Sequence, residues 1–276
     1  MSKLGETLGR TAADLFADFL TKPSTIELIR EVSAGTSFQE AEILAEKIGK
    51  QLSKIFETTT DGLAYLDEAT ALELITEALT ADHAAVASMA SQVAQNVNAA
   101  VGIGIKAGAI PLDAERISGL AKKFSEYDTL EEGRWLFGEP VVNFSQHAVD
   151  ETVRSNARAV SKAGAVAYIV RKAEAPATKT SRRGKRIVRY SVPCKWCKAL
   201  EGRYLYENVK NTGNDVFRRH DGCRCEVTYE LGKTRQDVYT KASWTAADAE
   251  RQAAVIESAI AQKEAEARAK EVRREG

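Results

Sequence analysis

The stretch PCKWCKALEGRYLYENVKNTGNDVFRRHDGCRC, Pro193–Cys225, holds all four cysteines of the 276-residue chain and one of its three histidines. The order is Cys194-x-x-Cys197, then 22 residues, then His220-x-x-Cys223-x-Cys225. Zinc takes four ligands in a tetrahedron, and two ligands separated by two residues reach one ion from a tight turn. A second such group roughly twenty residues on leaves a hairpin-sized segment between the half-sites. Five donors compete for four places. Cys194, Cys197 and His220 take three, and the fourth ligand is Cys223 or Cys225. Alternation along a strand sets Cys223 and Cys225 on the same face, so spacing does not choose between them.

Three chemistries compete for such a cluster. A redox dithiol should open a helix after a strand in a βαβ setting, and it leaves the His-Cys-Cys half-site without a role. Pro193-Cys194-Lys-Trp-Cys197 also matches the P-C-x-x-C half of a zinc deaminase. That chemistry needs an upstream H-x-E, whose His binds zinc and whose Glu shuttles protons. The upstream histidines stand in His83-Ala-Ala and His147-Ala-Val, so neither supplies the Glu; both read as ordinary helix residues. A closed structural zinc site uses the donors with no part missing. It also suits a region with few bulky core residues, because structural zinc contributes on the order of 10 kcal/mol to folding.

Outward from the cluster, VAYIVRKA, RIVRYSV, RYLYE and CEVTYEL are short β-branched and aromatic runs that read as strands. The segment AEAPATKTSRRGK between the first two reads as an exposed linker. Upstream the period turns helical, first over FSQHAVDETVRSNARAVSKAG. Ser37-Phe-Gln-Glu40 is a capping box, and Leu44, Ile48, Leu52 and Ile55 follow at helical steps. Thr70 and Asp113 are further start signals, while Pro111 and the glycines of VGIGIKAGAIP mark a break between helices. Those glycines form no phosphate loop, since no strand and no Lys-Ser/Thr pair accompany them. Trp135 reads as a core or domain-junction anchor, and the run after Trp244 reads as a long charged helix. The expected architecture is therefore α+β. It has a mainly helical region over 1–141, a small zinc-stapled, β-containing module over 142–240 and a long C-terminal helix over 241–276.

Charge divides the chain in the same way. Residues 1–150 carry 12 Lys and Arg against 23 Asp and Glu, a net of −11; residues 151–240 carry 20 against 9, a net of +11. An acidic half precedes a basic module, whose charge suits nucleic-acid phosphates or the acidic half of the same or a neighbouring molecule. Six of the eight tyrosines (Tyr168, Tyr190, Tyr204, Tyr206, Tyr229 and Tyr239) lie in the basic region. They suit stacking on single strands, but packing within a small sheet is the reading preferred here. From Ala84 to Ile105 no residue is charged, which is long enough for a membrane span. The many Ser, Gln and Asn side chains there would lack partners in hydrocarbon, so a buried or interface-forming Ala-rich helix is expected instead. The amino terminus lacks the apolar run of a secretory signal, which points to intracellular synthesis, where thiols stay reduced.

Cys194-x-x-Cys197-x-x-Leu200-x-Gly202, followed by His220-Asp-Gly-Cys223-Arg-Cys225, resembles the carboxy-terminal signature of phage minor head proteins. These are the head morphogenesis proteins typified by the Mu F-like family, in which C-x-x-C, Leu-x-Gly and H-x-x-C-R-C follow in this order. The similar region covers about residues 142–232, and Asp221 stands where the family usually carries Pro. The resemblance implies a structural virion component with structural zinc, not an enzyme. It implies portal or capsid proteins as partners, packaged DNA as a further one, self-association through helices and no membrane. The place implied is the phage head, after synthesis in the bacterial cytoplasm. A zinc-dependent nucleic-acid-binding protein outside any virion is the alternative, and a zinc metalloenzyme acting on nucleic acid comes third.

Overall fold

Helix starts and stops in this chain follow from local side-chain chemistry. In the computed structural model, residues 3–108, 110–126, 137–173, 181–183, 186–188, 193, 195–211, 215–219 and 225–232 are described. Trp135, Tyr190, Tyr239 and the run expected as a C-terminal helix lie outside them. The helices are α1 (Lys3–Thr21), α2 (Pro23–Ala34), α3 (Phe38–Thr59), α4 (Glu68–Ala100), α5 (Ala114–Ser125) and α6 (Glu139–Lys162). Ser37 caps α3 by accepting from the Glu40 N–H at 3.2 Å, and Asp113 caps α5 by accepting from the Arg116 N–H at 2.9 Å. The start of α4 differs from expectation. Asp67 is its cap, accepting from the Thr70 N–H (2.9 Å) and the Thr70 hydroxyl (2.7 Å), so Thr70 lies inside the first turn. An ionised carboxylate is the stronger acceptor at a helix N-terminus, where it also meets the dipole.

Two helices end at glycines with positive φ. At Gly102 (φ +75°) the Ile103 N–H donates back to Asn98 O and the Gly102 N–H to Ala99 O. At Gly164 (φ +81°) Ala165 and Gly164 donate to Val160 and Ser161 in the same pattern. Both are Schellman stops, in which the left-handed residue turns the chain so that orphan carbonyls are satisfied.

The chain divides into two compact units, Met1–Asn156 and Ala157–Gly276. In the first, α4 contacts α1, α2, α3 and α5. The expected stripe of Leu44, Ile48, Leu52 and Ile55 on α3 is buried, as are Val86 and Val93 on α4. Gly5, Gly9, Ala12 and Phe16 form the buried face of α1. At Gly9 the helices approach so closely that a Cβ would stand 2.3 Å from the Glu73 carbonyl oxygen. Polar residues of the uncharged run find partners within this unit. Asn96 donates to Ser33 O and Gly35 O (both 2.8 Å), and Asn98 exchanges amide hydrogen bonds with Asn156 (3.0 and 3.2 Å). Among the described residues no helix is long and apolar enough to cross a membrane.

One carboxylate in this unit is deeply buried. Asp82 of α4 is fully enclosed beside Ser145 of α6, and among the described residues neither oxygen has a hydrogen-bond partner of normal geometry. Burial pushes its pKa up to about 7, with Ser145 offsetting part of the shift.

The second unit contains a three-stranded antiparallel sheet in the order β4-β1-β5 and a separate two-stranded pair, β2-β3. The strands are β1 (Ala167–Lys172), β2 (Ser181–Arg183), β3 (Arg186–Val188), β4 (Gly202–Leu205) and β5 (Glu226–Leu231). Each of the four expected runs carries a strand, RIVRYSV over Arg186–Val188 with its remainder outside the described residues, and β2 adds one within the segment expected as a linker. RYLYE ends sooner than expected, turning at Tyr206 into the single helical turn α8 (Tyr206–Val209), after α7 (Lys195–Ala199). Register sets Ile169 of β1 between Tyr204 and Tyr229, and Arg171 between Gly202 and Val227. Ala167, Ile169, Arg171, Tyr204, Val227 and Tyr229 are all buried. On the other parity, the Arg203 guanidinium lies 3.4 Å from the Tyr168 ring centroid and 2.7 Å from the Glu230 carboxylate. The described fold is thus α+β, mostly helical with a small three-stranded antiparallel sheet and a two-stranded pair.

Candidate metal site

Cys197 sits in the short helix α7, and Cys225 is the residue before β5. They come from opposite ends of the Cys/His stretch, yet they pack together in one buried cluster, 3% and 2% exposed. Trp196 and Ala173 cover them. Neither thiol is in a disulfide. Cys194, His220 and Cys223 lie outside the described residues. Among the described residues, no three His, Cys, Asp or Glu side chains converge as a metal-binding group.

The Leu-x-Gly that follows the C-x-x-C has a structural reason. Leu200 is fully buried, and its N–H donates to the Trp196 and Cys197 carbonyls (both 3.2 Å), closing the turn that carries Cys197. Its own carbonyl accepts from the Tyr204 hydroxyl at 2.9 Å. Gly202 leaves room for that ring, because a Cβ there would lie 3.2 Å from Tyr204 Cζ and Oη. Burial raises the Tyr204 phenol above its usual pKa, against the opposing pull of the Arg171 charge.

Arg171 is the residue that sequence reasoning missed. It is fully buried on β1, on the same strand parity as Ala173, which touches the cysteines. Its guanidinium donates to the Val216 carbonyl through Nη1 and to the Arg218 carbonyl through Nη2 (3.0 Å), with its carbon 5.4 Å from the Trp196 ring centroid. Val216 and Arg218 belong to the short 3₁₀ turn Asp215–Phe217 and the residue after it, just upstream of His220. Arg219 donates to the Cys225 carbonyl at 2.8 Å. A signal existed in VAYIVRKA, where strand alternation puts Arg171 on the same face as Ala167 and Ile169.

Tyr204, Tyr206 and Tyr229 are buried, and the Tyr206 hydroxyl accepts from Arg158 Nε at 3.3 Å, so these tyrosines pack the sheet region. His83 lies in α4, its Nε2 3.1 Å from the Ile110 carbonyl, and His147 lies within α6. The C-x-x-C does run into a short helix, but the sheet is wholly antiparallel, so the βαβ frame of a thioredoxin-like dithiol is missing from the described residues. Two buried thiols, with thiol and imidazole donors adjoining them in sequence, suit zinc through soft sulfur ligands. No protein-family model, curated protein or solved structure matches this chain.

Proposed function

We propose that this chain is a minor capsid, or head morphogenesis, protein of a tailed phage, in which zinc is structural and no reaction is catalysed. The observation that carries the reading is the packing of Cys197 against Cys225. One cysteine comes from each half of the signature, and Leu200 of the same signature closes the turn that carries Cys197 through its N–H. Cys194, Cys197 and His220 would hold the metal together with Cys225, preferred over Cys223 because its thiol already lies against Cys197. Zinc supplies the cross-link that ties the two half-sites of a small module. Portal and capsid proteins are the partners in this reading, in the phage head. The helical unit and the 241–276 segment are the parts left to engage them or a second copy.

X-ray absorption at the zinc edge, on protein purified without chelator, tests the site. Three sulfurs and one nitrogen support a closed staple. An oxygen in the shell would sink it in favour of an open, reactive metal. Co-expression with a portal protein tests the setting, and failure to co-purify counts against it.

A nucleic-acid-binding role outside a virion is the second reading. Residues 175–200 carry eight Lys and Arg and no Asp or Glu, and the β2-β3 register sets Arg183 opposite Arg186. A run of like charge in the sequence repels itself, and phosphates relieve that repulsion. DNA binding that weakens steeply with salt, in the absence of any portal interaction, would favour this alternative.

A further inference from the structure

Three backbone carbonyls around the cysteine cluster accept from two arginines. Arg171 reaches across from β1 to Val216 and Arg218, and Arg219 reaches forward to Cys225. Val216 and Arg218 lie just before His220, while Cys225 immediately precedes β5 and follows Cys223 by two residues. The contacts therefore fall at both ends of residues 220–224, which carry two of the candidate ligands. A guanidinium is suited to this task. Its planar fork presents several N–H donors in fixed directions, so one side chain satisfies two carbonyls two residues apart. Hydrogen bonds from a charged donor are also stronger than neutral ones.

Arg171 is otherwise an odd choice for the central strand of a small sheet. A fully buried cation is costly unless its hydrogen bonds are met. Ala167 and Ile169, its neighbours on the same face, are apolar, and a Leu or Val would continue their pattern. The carbonyls of Val216 and Arg218 and the face of Trp196 solvate the charge in place of water. Trp196 in turn covers the two cysteines, so the same side chain touches both the loop before His220 and the lid of the thiol cluster. Its positive charge also complements the anionic shell that three thiolates form around a dication.

We propose that Arg171 and Arg219 are positioning residues of the cysteine site, which order both ends of its second half before any metal arrives. This rests on the metal reading above and adds to it the claim that the site is preorganised by the chain. Metal then binds without having to order the segments flanking its second pair of ligands, and groups that orient ligands in this way typically contribute about 10- to 100-fold in metal affinity.

The test uses the full chain. Zinc affinity is measured by competition with a chelating indicator for the native protein, Arg171→Lys and Arg219→Gln. Hydrogen exchange over residues 215–219 is followed in the metal-stripped forms. Arg171→Lys keeps the charge and loses the fork. The expected result is slowed exchange over 215–219 in the stripped native chain, lost in Arg171→Lys. Zinc affinity should be about 10-fold or more lower in both variants, with the melting of the helical unit unchanged. Native affinity in both variants, or fast exchange in the stripped native chain, overturns the proposal. If Arg171→Lys fails to fold, Arg219→Gln carries the test, since Arg219 is only half-buried. A native chain that binds no zinc, yet keeps arginine-dependent protection, refutes the metal reading and leaves the arginine clamp standing.

Discussion

Replacing Asp82 with Asn should abolish the part of the helical unit's pH response that this carboxylate creates. Burial raises the Asp82 pKa from 3.8 to about 7. Between those values the folded chain holds a proton that the unfolded chain has released, so stability falls as pH rises. The stabilisation is complete below the unfolded pKa and is lost once pH passes the folded one. A gap of about three pH units, at 1.36 kcal/mol per unit, corresponds to about 4 kcal/mol as an upper bound. Asn has nearly the same volume and no charge, so Asp82→Asn removes this slope. It carries its own cost of about 1–3 kcal/mol if its amide is left without hydrogen bonds. Urea unfolding followed by helical circular dichroism, at about pH 5 and about pH 8 and constant ionic strength, measures the difference. The stability of Asp82→Asn relative to the native chain should rise by up to about 2.6 kcal/mol from the lower pH to the higher, because about two of the three pH units of the gap lie within that window. Parallel pH profiles for the two proteins would refute a buried, proton-binding Asp82.

Gly9→Ala should lower the melting temperature by about 2–8 °C, because overpacking of about 1–3 kcal/mol against the Glu73 carbonyl outweighs the helix propensity gained. Gly119→Ala in α5, where a Cβ meets nothing within 4 Å, should raise it by a few degrees, and equal shifts in the two variants would undo the close-approach argument. Asn98→Ala strands the Asn156 amide in a buried site and should cost about 2–3 kcal/mol in urea unfolding; a loss under about 0.5 kcal/mol would mean the amide pair is idle. Tyr204→Phe removes the hydroxyl that binds the Leu200 carbonyl, and about 1 kcal/mol should be lost, as read by chemical denaturation of the metal-loaded chain. Stripping zinc with a chelator should lower the melting of the β-containing unit and leave that of the helices in place, and calorimetry with two resolved transitions reads both at once.

Local chemistry made much of this protein legible from its residues. Ser37 and Asp113 cap helices because a short polar side chain before a periodic run has one favourable use, to accept from the first-turn amides. The stripe on α3 and the β-branched runs around the cysteines follow from periods of 3.6 and 2 that are properties of the chain alone. The α+β class, the helical first half and the packing role of the buried tyrosines were all readable in this way. The sequence also proposed a cysteine and histidine site, because donors grouped in two short clusters have few other uses.

What only the tertiary structure decided depends on residues far apart in the chain. Asp67 displaced Thr70 as the cap of α4, since an ionised acceptor outcompetes a hydroxyl when both are in reach. Gly9 is intelligible only once the Glu73 carbonyl lies beside it, and Asp82 only once α6 closes over it. The meeting of Cys197 with Cys225 could not come from spacing, because Cys223 and Cys225 share a strand parity in the sequence and only the packed sheet brings Cys225 against Cys197. Arg171 is the clearest case. Alternation predicts that it points inward, but whether an inward arginine is a defect or a clamp depends on the carbonyls of Val216 and Arg218, some 45 residues away in sequence, which only the folded chain delivers to it.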